Sequence, residues 1–321
     1  MPAVTPDSEV PLDNMGPEVL PARRRRPRPG GRHRGAESFA LPPDSPPLIL
    51  AVPGALDASV PPVPPGRPGA PEPSGRPVVA GVAGALALLT EHAHTGRPVV
   101  LGHLAGSAAS LGAALAAAAA AGRAPDMPPA VVVPLLAGPD PVIDRALRET
   151  VVASGVPAVI AEPLGPHPLI AQALHERLAE AGLARADRIR MMTTVTVAGG
   201  VVIAVPGGPA AVRDAEVSAV LLASRLAVPA TAASLEDGPD AISPAEAAAR
   251  LRAAGATHVA FAPYVIGPEV APARLAMLSK LAADTGAGLA APLGDHPVLA
   301  HLIALRYVEA LEKALREGQL H

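Results

Sequence analysis

One stretch of this chain is written twice, 129 residues apart: Pro134-Leu135-Leu136-Ala137-Gly138-Pro139-Asp140 returns as Pro263-Tyr264-Val265-Ile266-Gly267-Pro268-Glu269. The register continues without a gap, so that Glu162-Pro163-Leu164-Gly165-Pro166-His167-Pro168 aligns with Ala291-Pro292-Leu293-Gly294-Asp295-His296-Pro297. It still holds at Arg177/Arg306 and Glu180/Glu309. A further match, Ala51-Val52-Pro53-Gly54 with Ala204-Val205-Pro206-Gly207, sits at an offset of 153. Solenoid units run only ~20–50 residues, so a repeat of this length implies a duplicated domain. Two copies of one small fold place a ligand cleft between them.

The pattern within each copy predicts an α/β fold. Leu48-Ile49-Leu50-Ala51-Val52 is a short apolar run stopped by Pro53-Gly54, as expected of a strand buried on both faces. Further runs at 98–101, 130–136 and 158–162 alternate with helical stretches at 79–90, 107–121, 142–154 and 168–181. The second copy repeats the order, with strands at 201–205, 229–235, 258–262 and 288–291. Its expected helices are 211–226, 243–254, 271–285 and 297–317, the second opened by Ser243 as N-cap with Glu246 as capping-box partner. The expected architecture is two tandem flavodoxin- or Rossmann-like domains, each a four-stranded parallel sheet with helices on both faces. The expected boundaries are a Pro/Arg-rich disordered tail over 1–46, a first domain over 47–182 with a proline-rich insert at 57–78, and a second over 183–321.

Composition narrows the chemistry. The chain has no cysteine, which excludes disulfides, thiolate metal ligands and a cysteine nucleophile. A metal would have to be held by His, Asp, Glu or backbone oxygen. A net charge of −3 gives no global pull toward nucleic acid or acidic membranes, so neither is expected as a partner. The arginines from Arg23 to Arg34 lack the apolar segment of an export signal, and a cytoplasmic protein is expected. Dinucleotide and P-loop glycine spacings are absent, as are the nucleophile elbow and the zinc-protease motif.

Open parallel sheets bind ligands beyond the carboxyl ends of their strands. The loops there carry Gly54, His103, Gly138, Asp140 and His167 in the first copy, and Gly207, Gly208, Glu236, Gly267, Glu269 and His296 in the second. Asp140 and Glu269 are carboxylates at equivalent rim positions. With His103, His167 and His296 they form a mixed set able to hold a divalent ion. Against that stands a structural alternative. His167 and His296 each precede a proline at a helix start, where they would cap or pack, and Asp140 and Glu269 sit where a helix dipole favours acids. His92-x-His94 reads as a solvated loop at a helix end, and Gly207-Gly208 as a tight turn or an anion cradle.

On Leu48–Gly54, on Val131–Gly138, on both Leu-Gly-x-His-Pro segments and on 250–264, the chain resembles the small class II chelatases of the sirohydrochlorin chelatase type. The resemblance covers about 48–312 apart from the insert and 183–198. It implies a lyase of tetrapyrrole (sirohaem or cobalamin) biosynthesis that inserts cobalt or ferrous iron, the metal being substrate, into a macrocycle held between the domains. The family's two metal-binding imidazoles fall at Pro53 and Asp140, and its second-strand acid at Ala105, two residues beyond His103. The resemblance therefore implies Asp140 and His103 as catalytic residues. Asp140, Glu269, His167 and His296 are the expected metal ligands, and Gly54, Gly138, Gly207, Gly208 and Gly267 the expected ligand-binding glycines. The alternative is a degenerate relative that binds a tetrapyrrole or a partner protein without catalysis. Oligomeric state is not legible in the sequence.

Overall fold

The computed structural model describes residues 41, 44–54, 81–105, 109–121, 127–185, 197–236, 238, 240–267 and 269–318. Outside them lie the expected tail up to residue 40, the proline-rich insert, Ser107, residues 186–196 between the copies, Asp237 and Pro268. The first copy runs β1 (Leu48–Val52), α1 (Val82–Thr90), β2 (Val99–His103), α2 (Leu111–Ala120), β3 (Val131–Pro134), α3 (Pro141–Ser154), β4 (Val159–Ile160) and α4 (Pro168–Glu180). The second runs β5 (Gly200–Val205), α5 (Pro209–Leu226), β6 (Ala230–Ser234), α6 (Pro244–Ala253), β7 (Val259–Pro263), α7 (Pro272–Thr285), β8 (Gly288–Leu289) and α8 (Pro297–Gly318).

The two sheets have the same order, β2-β1-β3-β4 and β6-β5-β7-β8, and every pairing is parallel. The centre strands read as unbroken apolar runs because both faces are covered. Leu48, Leu50 and Val52 point into one core while Ile49 and Ala51 point into another with Leu111 and Leu115 of α2. In the second sheet Val202 and Ala204 face α6 and α7, and Val201, Ile203 and Val205 face the opposite way. Ser243 caps α6, its hydroxyl accepting from Glu246 N at 3.2 Å. The Glu246 carboxylate turns outward to Arg250 at 2.7 Å, so only half of the expected capping box forms.

The copies exchange their last helices. α4, which ends the first copy, packs on α5 and β7 of the second, while α8, which ends the second, packs on α1, β3 and β4 of the first. One core, containing Ile170, Leu174 and Leu178 of α4 and Leu299, Leu302 and Tyr307 of α8, consequently runs through both halves. The sequence register survives as a structural one. Arg177 of α4 donates to Leu293 O at 2.8 Å and pairs with Glu180, and Arg306 of α8 donates to Leu164 O at 3.3 Å and pairs with Glu309. Every member of the second set lies 129 positions from its counterpart in one direction or the other. Tyr307 adds a bond across the seam, donating to Pro46 O ahead of β1 at 2.7 Å.

His92-x-His94 departs from the solvated loop expected of it. Glu91–Thr95 continues α1 as a π-helical turn. That extra winding swings His94 into the seam, where only 8% of it remains exposed and its ring meets His301 of α8 edge-on at 5.0 Å. Burial, with His301 beside it, holds the His94 pKa below the ordinary value of 6.5. A histidine whose folded pKa is depressed contributes stability above its unfolded pKa and loses it as pH falls. The window therefore opens below about pH 6.5. Replacing His94 by Phe keeps an aromatic edge and removes the titration. Thermal unfolding at pH 7 and pH 5 should show the variant gaining on the parent by a few degrees at the lower pH, at roughly 2–4 °C per kcal/mol for a chain of this class. An unchanged difference between the two pH values would contradict this account of the seam.

Candidate functional site between the copies

The loops after β1, β3, β5, β6 and β7 enclose a cleft of about 240 Å³. Gly54, Asp140, Val142 and Ile143 line its first-copy side; Leu235, Glu236, Glu269 and Arg274 are among the residues on the other. Gly54 lets the chain pass close to Ala105, since an added Cβ would lie 2.7 Å from that residue's own Cβ. Asp140 is the N-cap of α3, its Oδ1 accepting from Val142 N at 2.9 Å and Ile143 N at 3.1 Å, with Pro141 as the first helical residue. Two orphan amides of the helix are thereby satisfied and the carboxylate is fixed at the cleft wall.

Glu269, the repeat counterpart of Asp140, is held differently. Its two carboxylate oxygens accept from Ile266 N at 2.5 Å and Gly267 N at 2.8 Å, which folds the side chain back over its own loop. Removal from water raises its pKa to about 7, and the amide donors offset only part of that rise. A carboxyl group that exchanges its proton near neutrality therefore lines the cleft opposite a carboxylate serving as a helix cap.

The remaining sites named from sequence fall elsewhere. His167 and His296 are helix caps, their Nδ1 atoms accepting from Leu169 N at 3.1 Å and Val298 N at 3.3 Å. His296 Nε2 also lies 3.0 Å from the Glu176 carboxylate, a contact with no counterpart in the first copy because Leu305 stands at the equivalent position. Burial leads in lowering the pKa of both imidazoles, with Glu176 pulling the other way at His296. His103 ends β2, its backbone N–H bonded to Ala109 O at 2.9 Å, and it does not line the cleft. Gly207 takes φ 100° in the turn before α5 and accepts from the Ser234 hydroxyl, Gly208 opens α5, and Gly267 serves the Glu269 loop. Among the described residues no group of three or more His, Asp or Glu side chains is placed to hold a metal ion. Pro53 is buried at the end of β1.

Two features of the site were not read from the sequence. Tyr264 reaches from β7 into the first copy, where Cβ atoms added at Gly138 and Gly165 would lie 2.8 and 2.4 Å from its ring carbon and hydroxyl. Its hydroxyl bonds to buried Ser218 at 3.1 Å, so one second-copy side chain braces both first-copy rim loops. The other is Arg274, on the first turns of α7.

Two parallel sheets of one order, related by duplication and meeting at their carboxyl edges over a shared cleft, define a two-copy, doubly covered α/β protein. Residues 74–181 match the family model described as CbiX. A search of curated proteins by sequence finds no match. Among solved structures, SirB from Bacillus subtilis with Fe3+ superposes with a TM-score of 0.58 at 17% identity, over 86% of this chain and 98% of that one. The sirohydrochlorin chelatase SirB from Bacillus subtilis subspecies spizizenii, in complex with cobalt, gives 0.55 at 16% identity, over 85% and 98%. At such identities the likeness speaks for the fold alone. Within the first copy the chain is thus similar to the CbiX family, and the whole of it shares the fold of these chelatases. No helix among the described residues is long and apolar enough to cross a membrane.

Proposed function

We propose that the chain binds a tetrapyrrole in the inter-copy cleft and delivers a divalent metal, cobalt or ferrous iron, into it as substrate. The observation that carries this reading is Glu269, a cleft carboxyl whose pKa is raised to about 7. Metal insertion into a free-base macrocycle releases the two pyrrole N–H protons, and a base poised near the working pH is suited to accept them. Asp140, whose capping bonds engage Oδ1, retains Oδ2 as an oxygen ligand for the incoming cation. The apolar side chains of Val142, Leu235 and Val270 offer a surface for the macrocycle face.

A second reading is binding without insertion. Proline at position 53 supplies no donor where the family carries an imidazole, and Asp140 and Glu269 already accept backbone N–H groups. Mixing the purified protein with sirohydrochlorin, with and without cobalt, separates the two. A spectral shift on binding followed by conversion to the cobalt form supports insertion, with Asp140→Ala slowing the conversion. A shift with no metal-dependent conversion supports binding alone, and no shift at all removes the tetrapyrrole from the account.

A further inference from the structure

Resting on that reading, we propose that Arg274 is the cleft's anchor for a peripheral carboxylate of the ligand, and so sets its preference for an anionic macrocycle. Arg274 is the one cationic side chain among the described residues that line the cleft. Its Nη1 donates to Leu235 O at 2.8 Å, which orients the guanidinium plane from the loop after β6. It makes no ion pair among the described residues, although three carboxyl side chains share the lining. Asp140 turns Oδ1 to capping α3, Glu269 bonds the Ile266 and Gly267 amides, and Glu236 is exposed to solvent. Arg274 therefore keeps its Nε and Nη2 donors for a group that enters from outside.

A guanidinium held at one corner by a backbone carbonyl presents its remaining N–H groups in a fixed fork, the geometry that binds a carboxylate through two parallel bonds. Val270 and Ala271, one turn before it, and Val142 across the cleft set apolar surface beside that charge. The combination suits a flat apolar ring system with acidic arms. The repeat also makes the site one-sided: the counterpart of Arg274 is Arg145, which is exposed on α3 and does not line the cleft. One arm of the ligand is thus fixed from the second copy, and this orients the macrocycle relative to Glu269, which is on the same side.

The test uses the full chain and two water-soluble free-base porphyrins of opposite rim charge, uroporphyrin with carboxylate arms and a tetracationic N-methylpyridyl porphyrin. Binding is followed by absorbance or fluorescence, with the thermal midpoint of each variant as the folding control. Arg274→Gln should weaken uroporphyrin by at least about tenfold, the expected loss of a charge-assisted pair. It should leave the cationic porphyrin unaffected or slightly tighter, and Arg274→Lys should recover part of the uroporphyrin affinity. Equal uroporphyrin affinity in parent and Arg274→Gln overturns the anchor and leaves the tetrapyrrole reading intact. A parent chain that binds neither porphyrin overturns both.

Discussion

Glu269→Gln should keep the tetrapyrrole bound and abolish metal insertion, with the conversion rate to the cobalt form falling by roughly 10²–10⁴, the usual contribution of a positioned base. The amide cannot take a pyrrole proton, yet it matches the carboxyl group in size and can still accept one of the two backbone N–H bonds that Glu269 now satisfies. The parent rate should rise with pH through about 7, where Glu269 gives up its proton, and the variant should lack that limb. Stability supplies an independent check. Because the folded pKa lies above the unfolded one, the protonated group contributes stability that is full below about pH 4.5 and lost as pH climbs through 7. The parent should therefore lose up to about 3 kcal/mol from this residue between those limits. If Glu269→Gln inserts cobalt at the parent rate, with the same pH profile, the base lies elsewhere.

The second large effect concerns the halves. Residues 47–182 and 183–321 produced separately should each fail to give a cooperative unfolding transition, and should form a one-to-one complex when produced together. Each half alone carries the helix that covers its partner and lacks the helix that covers itself. Without α8, the inner face of the first sheet loses Leu299, Leu302, Ile303 and Tyr307, all fully buried in the intact chain. At about 1.5–3 kcal/mol for each such side chain the loss rivals the 5–15 kcal/mol that ordinarily separates folded from unfolded domains. The second sheet loses Ile170, Leu174 and Leu178 in the same way. Calorimetry decides the matter: a sharp two-state transition in either isolated half would show that the exchanged helices are dispensable.

How much of this was legible in the chain differs by feature. Period and punctuation locate strands well. Leu48–Val52 was expected as a buried strand and is one, and the duplication by 129 residues correctly anticipated two sheets of one order. The partner of a terminal helix was not legible, because an apolar stripe on α4 or α8 says that a face is buried and not which sheet buries it. The recurrence of Arg177/Glu180 as Arg306/Glu309 is plain in the sequence, but its meaning depends on carbonyls of Leu293 and Leu164 that only the fold brings near. In the site, Asp140 and Glu269 were named as equivalent rim acids, and both line the cleft. His167 and His296 instead show what a residue just before a helix-opening proline does: the ring nitrogen caps the helix. Arg274 is not legible in the sequence, since an arginine inside an amphipathic helix carries no local mark of facing a ligand.

The helix exchange also has a mechanical consequence. Domains joined only by a linker can open like jaws about a hinge. Here each half grips an element grown from the other, so parting the two sheets would have to unseat a helix and expose its apolar face. The width of the cleft is thereby set when the chain folds. A planar guest must enter past the rim loops and accept the spacing it finds, which places the burden of deformation on the guest.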